Sequence, residues 1–253
     1  MDFQGCLTAL SQIVGIVVGL ITIVKVFRNY LFRRNTFQEG GVYQAHGKIA
    51  DVLRNSYAAK RLGKPISEEQ PAAPSKLGTT GTLQRFQGNR DGTKVWDAVR
   101  NANIIGVSVY NSHYAACPVW GEIGRCYEKL GGTTSRLGFP ISWEIQAAPS
   151  RYGTTGKVQR FEGEGDGVRM WHEPRKDYIT AVSIYSSNRG TYPVWGSIGQ
   201  CFENKENKGT TGRLGFPISK EEEMASSPRT VRQRFEGGSI ISVYGQAPTV
   251  QTK

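Results

Sequence analysis

Glu144, Glu162, Asp166 and Glu221 are available for a sugar-cleaving pair, since glycoside hydrolysis sets one carboxyl as acid and a second as base or nucleophile. Glu69, Glu144 and Glu221, however, recur once per repeated stretch, whereas a catalytic centre singles out a few residues in one place. His46, His113 and His172 stand at unmatched positions. "GTTG" lacks the Lys-Ser/Thr of a phosphate loop, and neither a Gly-x-Ser-x-Gly elbow nor a His-Glu-x-x-His helix occurs. These features point away from catalysis, and no catalytic residue, metal or cofactor is expected. The residues suited to binding are aromatic. Trp96 and Trp171 occupy one repeated slot and Trp120 and Trp195 another, and flat rings of this kind stack on sugar rings beside planar polar side chains such as Gln159 and Arg160. The ligand set expected is Trp96, Trp171, Gln159 and Arg160. Trp120 and Trp195, at the helix starts, read rather as packing residues between units, and Arg136 and Arg213 as structural partners of Glu144 and Glu221.

The elements that position these residues are set by internal repetition. "RLGFPIS" stands at residues 136–142 and again at 213–219, with "RLGKPIS" at 61–67. Leu62, Leu137 and Leu214 are about 75 and about 77 residues apart, the signature of a repeat architecture. Three units occupy residues 40–244. In "VWGEIGRCYEKLGG" the apolar residues Val119, Ile123, Cys126, Tyr127 and Leu130 share one helical face, and Gly131-Gly132 ends the helix. Val194, Ile198, Cys201 and Phe202 repeat that face, as do Ile49, Val52 and Leu53. In the "LGFP" phrase glycine permits a turn and proline bars continuation of the helix. "KVQRFEG" alternates as a half-buried strand, and the Asp-Gly pair in "GDGVRMW" predicts a hairpin with a returning strand. "VSVY" and "VSIY" read as strands linking one unit to the next.

The fold class expected is therefore α+β and β-rich: a tandem array of three units, each a short helix, a Gly/Pro turn, a hairpin and a linking strand. A "VY" strand begins the array and another ends it, an offset that would let the last unit pair with the first and close a propeller-like ring; an open stack is the alternative.

Residues 7–24, "LTALSQIVGIVVGLITIV", are apolar over about the minimum length that spans a bilayer, which predicts one transmembrane helix ahead of the repeats. The expected organisation is a membrane anchor with basic flank at 1–34, the three-repeat domain at 35–245 and a disordered tail at 246–253. Lys25, Arg28, Arg33 and Arg34 follow the run, so the positive-inside rule puts the repeats in the cytoplasm. Gly15 and Gly19 form a Gly-x-x-x-Gly pair through which the span would self-associate. The formal net charge is +11, but Lys and Arg recur at matching repeat positions without a polybasic tail, so nucleic acid is not the expected partner. Cys126 and Cys201 share one slot and read as core residues rather than as a disulfide.

At "GEIGRCYEKLGG…LGFPISWE…QRFEG" and the closing "RFEGGSIISVY" the chain resembles the LGFP repeat family, whose units read roughly "GAI…KYxxLGG…LGxPxxxE…FxGGxIYW". The likeness covers most of residues 40–244. Two departures stand out: Lys64 where the family has Phe, and an insertion between "F[QE]G" and "VS[VI]Y" in the first two units. The resemblance implies an accessory module of actinobacterial cell-envelope proteins that holds wall polysaccharide outside the cytoplasm, opposite to what the flanking charge implies. The functions that follow are a membrane-anchored, non-enzymatic polysaccharide binder, or a membrane protein whose cytoplasmic repeats act as a sensor or interaction module.

Overall fold

A computed structural model describes residues 43–89, 91–97 and 101–253. Its elements run α1 (Gly47–Leu53), α2 (Ser56–Leu62), β1 (Gln70–Ala72), β2 (Gly81–Phe86), β3 (Thr93–Asp97), β4 (Ala102–Ser112) and β5 (Ala116–Val119) in the first unit. The second contains α3 (Gly121–Lys129), β6 (Ile145–Ala147), β7 (Gly156–Phe161), β8 (Val168–His172), β9 (Asp177–Ser187) and β10 (Gly190–Val194). The third contains α4 (Gly196–Phe202), β11 (Glu222–Ser226), β12 (Arg229–Phe235), β13 (Gly238–Val243) and β14 (Thr249–Thr252).

The apolar faces form the short helices expected. Ile123 and Tyr127 of α3 are fully buried, as are Ile198 and Phe202 of α4, and Gly131 stops α3 in the left-handed region at φ 106°. The first unit adds α2, capped by Asn55, whose side chain accepts from the backbone N–H of Tyr57 and Ala58, each at 3.1 Å.

Each unit owns one antiparallel sheet. In the second, the order is β10-β9-β7-β6, with β8 also on β9; the first repeats this as β5, β4, β2, β1 and β3. The hairpin expected from the Asp-Gly pair is not formed between β7 and β8. Instead β7 pairs with residues 182–187 of β9 and β8 with 177–181, so the two lie end to end along one 11-residue strand. The insertion is thus an arm, β8 with the first half of β9, and β3 with the first half of β4 is its counterpart. The third unit lacks it, and β12 turns directly into β13.

The repeated phrase is where each unit closes on itself. Pro65, Pro140 and Pro217 bridge to Phe86, Phe161 and Phe235. Around the middle bridge Ile141 N donates to Arg160 O (3.0 Å), Glu162 N to Phe139 O (2.9 Å) and Gly163 N to Leu137 O (2.8 Å); both other units repeat all three bonds within 0.2 Å of these lengths.

Neighbouring units are joined by side chains. Phe139 is buried edge-on to Tyr110 of the first unit (6.3 Å), and Phe216 meets Tyr185 of the second in the same way (6.3 Å). The rings press on Gly81 and Gly156, where a Cβ would lie 2.8 Å from Phe139 and 2.6 Å from Phe216. The residue in this slot of the first unit is the exposed Lys64.

The closed, propeller-like ring is not what forms. The chain makes three separate sheets in an open array. In the last of them β13 is hydrogen-bonded on both edges by its own unit, to β12 and β14, so it has no edge left to offer the first unit. β14 lies in the stretch expected to be a disordered tail. Among the described residues no helix is long and apolar enough to cross a membrane. The apolar run 7–24, with its Gly15 and Gly19, lies outside the described residues.

Gly156→Ala should test the plug directly, since the new methyl would meet Ser186 O at 2.3 Å as well as the Phe216 ring. A loss of about 1–3 kcal/mol, read by urea unfolding, is expected for such overpacking.

Candidate functional site

The "QRF" residues hold the array together. Gln159 Nε2 donates to the carbonyls of Pro118 in the preceding unit (3.0 Å) and Ser142 (2.9 Å), and the side chain is fully enclosed. Gln84 and Gln233 repeat the arrangement, the latter on Pro193 and Ser219. Arg160 donates to both oxygens of Glu203 in the following unit, at 2.6 and 2.5 Å, and to Ser183 Oγ. Tyr185 completes the cluster, donating to Glu203 at 2.9 Å. Burial, then the charge on Glu203, raises the Tyr185 hydroxyl far above its ordinary range, so it remains a donor. Arg85, Glu128, Ser108 and Tyr110 form the same cluster one junction earlier. Gln159 and Arg160, expected to face a ligand, are thus occupied by structural partners.

The carboxylates are similarly engaged. Glu144 accepts from Arg61 of the first unit (2.9 Å) and from Lys157 (2.7 Å), and Arg136 pairs with Asp166. Glu221 accepts from Trp195 Nε1 (3.1 Å) and lies 3.7 Å from Arg229. Arg136 and Arg213 therefore do not pair with Glu144 and Glu221. The repeat had the right residue types, but Glu144 draws its arginine from across a junction and Arg136 draws its carboxylate from elsewhere in its own unit.

Glu162 is buried under the turn of the LGFP phrase and accepts from Ser75 Oγ of the first unit. Burial raises its carboxyl above the usual range, against hydrogen bonds from Ser75, Thr79 and the Phe139 backbone that lower it. Among the described residues no group of His, Cys, Asp and Glu is arranged to hold a metal ion. His172 is buried with Nε2 3.0 Å from Ile141 O, His113 lies against Arg175, and His46 is exposed ahead of α1. Cys117, Cys126 and Cys201 are free thiols.

Trp96 and Trp171 lie in a different setting. They sit on the two arms, 52% and 46% exposed. On the β8–β9 arm Trp171 faces Tyr178 across the strands, edge-on at 5.4 Å, and the Arg169 guanidinium covers Tyr178 at 4.9 Å. Trp171 Nε1 donates to Glu173 at 2.7 Å, which fixes the ring. On the β3–β4 arm Lys94 and Trp96 share a face with Asn103 and Ile105 by strand register. Each arm thus presents one indole with a cation two residues before it.

The two helix-start tryptophans differ. Trp120 is 1% exposed, with Arg61 over its ring at 4.2 Å and Trp143 edge-on at 6.4 Å. Trp195 is only half-buried. It has Arg136 at 5.0 Å and lines a cleft of about 820 Å³ between the second and third units, together with Glu122, Arg125, Lys129, Tyr192 and Lys220. Sequence reasoning did not find this cleft, although Trp143 and Lys220, unlike residues in one repeat slot, were a readable signal.

No protein-family model matches the chain, and no curated protein is significantly similar to it. The likeness to LGFP repeats is carried by its motifs alone.

Two substitutions separate structural from binding roles. Gln159→Ala strands two buried carbonyls and should cost about 1–3 kcal/mol in denaturant unfolding. Glu162→Gln should stabilise the protein near neutral pH. Because the folded-state carboxyl titrates above its unfolded value, native protein loses stability as pH rises from the unfolded value through the raised one. The gain in Tm of the variant over the native protein should therefore be present at pH 8 and shrink as pH falls through that window.

Proposed function

We propose that this chain is a non-enzymatic binding protein whose two arms hold an envelope polysaccharide. The observation that carries the reading is the matched exposure of Trp96 and Trp171, each beside a cation on the same strand face. Indoles in the open supply stacking surface for sugar rings, and Lys94 and Arg169 supply hydrogen-bond donors beside them. Two weak sites on one rigid array add through avidity along a repetitive polymer. The engagement of Glu144, Glu162, Asp166 and Glu221 by structural partners favours binding over hydrolysis. The resemblance to LGFP repeats points the same way.

A second reading, a cytoplasmic interaction module, is favoured by Lys25, Arg28, Arg33 and Arg34 after the apolar run. Protease protection on intact cells against inside-out vesicles, with a tag on the C-terminus, separates the two. Cleavage from outside supports the polysaccharide reading, and cleavage only in inverted vesicles supports the other.

The binding test is retention of the full chain on insoluble envelope polysaccharide at physiological salt, where non-specific attraction by a basic protein is screened. Trp96→Ala or Trp171→Ala should each weaken retention, and the double variant should reduce it by roughly ten-fold or more, as loss of avidity implies. The Tm should not move, because both rings are exposed. Unchanged retention by the double variant would remove the arms from the account.

A further inference from the structure

The two junctions are built from equivalent residues, and one replacement distinguishes them. In the first junction Trp143 fills the space beside the helix of the preceding unit: its Nε1 donates to Ala116 O at 2.9 Å, its ring meets Trp120, and it packs on the core that contains Val52. In the second junction the slots of Ala116, Trp120 and Val52 are taken by Thr191, Trp195 and Cys126, which all line the cleft. The slot of Trp143 itself is taken by Lys220. The plug is missing, and a cleft of about 820 Å³ stands in its place. That volume falls within the roughly 300–1,000 Å³ of small-molecule sites.

The lining is prepared before any ligand arrives. Trp195 is held by the Arg136 guanidinium over its ring and by Glu221 on its Nε1. Arg125 is paired with Glu122 at 2.6 Å, and Glu221 is engaged by Trp195 and Arg229. Two cations remain. Lys129 and Lys220 both line the cleft, and among the described residues neither has a carboxylate partner. A partly exposed indole beside two uncommitted ammonium groups favours a ligand with an apolar ring face and a negative charge.

We propose that this cleft binds one acidic sugar residue, a uronate-type ring on Trp195 with its carboxylate met by Lys129 and Lys220. The inference rests on the polysaccharide-binding reading and narrows it: the arms hold the polymer at two equivalent places, and the cleft selects charged residues at a single one. Its uniqueness follows from the replacement of Trp143 by Lys220, so the first junction offers no second copy.

The test is calorimetric titration of the full chain with trigalacturonate, and with neutral trigalactose as the control. One site is expected for the acidic trimer, with affinity that falls as salt is raised. Lys220→Trp, which rebuilds the plug of the first junction, should abolish it. Lys220→Met and Lys129→Met, which leave the cleft open, should each weaken it by roughly ten-fold, the loss of one charge-assisted hydrogen bond. Equal binding of the neutral trimer, full binding by Lys220→Trp, or no binding of the acidic trimer would each overturn the proposal. Failure of the arms is read separately, in the polymer retention of the double tryptophan variant.

Discussion

Everything in this array depends on one contact made twice, the insertion of a phenylalanine from one unit into the sheet of the unit before it. Phe139 and Phe216 are wholly enclosed, and burial of a phenylalanine removes roughly 1.5–3 kcal/mol of exposure cost. The acceptor must be glycine, since any Cβ at Gly81 or Gly156 would occupy the space of the ring. A single unit has too little core to stand alone, so stability is built at these junctions.

Polar side chains secure the same junctions. Buried amides and guanidinium groups are costly unless satisfied. The glutamines 84, 159 and 233 each bridge two carbonyls from separate segments, and Arg85 and Arg160 each reach the helix of the next unit. Arg234 of the third unit donates instead to Glu222 of its own sheet. Repetition of a polar residue is thus explained by repetition of a junction, and Gln159 and Arg160 carry the structural task that the sequence pattern left open to binding.

The surfaces left for a ligand lie where uniformity ends. The arms belong only to the first two units, as insertions that the third lacks. The cleft stands at the second junction, where Lys220 replaces the tryptophan that seals the first. A scaffold of equivalent contacts can carry non-equivalent sites because the junction residues lie on β2, β7 and β12 while the exposed indoles lie on the arm strands β3 and β8.

The sequence by itself determined the number of units, their short helices, the turn at each LGFP phrase and the strands on either side of it. Those features are local: helical spacing, the glycine and proline conformations and two-residue alternation act over a few residues. It also placed Trp96 and Trp171 on strands beside a turn. Only the tertiary structure decided that β7 and β8 lie end to end, that the array stays open, that Glu144 answers Arg61 rather than Arg136, and that Trp195 lines a cleft while Trp120 is sealed. The first two depend on strand pairing between segments far apart in one unit, and the last two on which side chain of one unit meets which of the next. Residues some 80 positions apart are brought together there by packing, and the periodicity that identifies their types does not identify their partners.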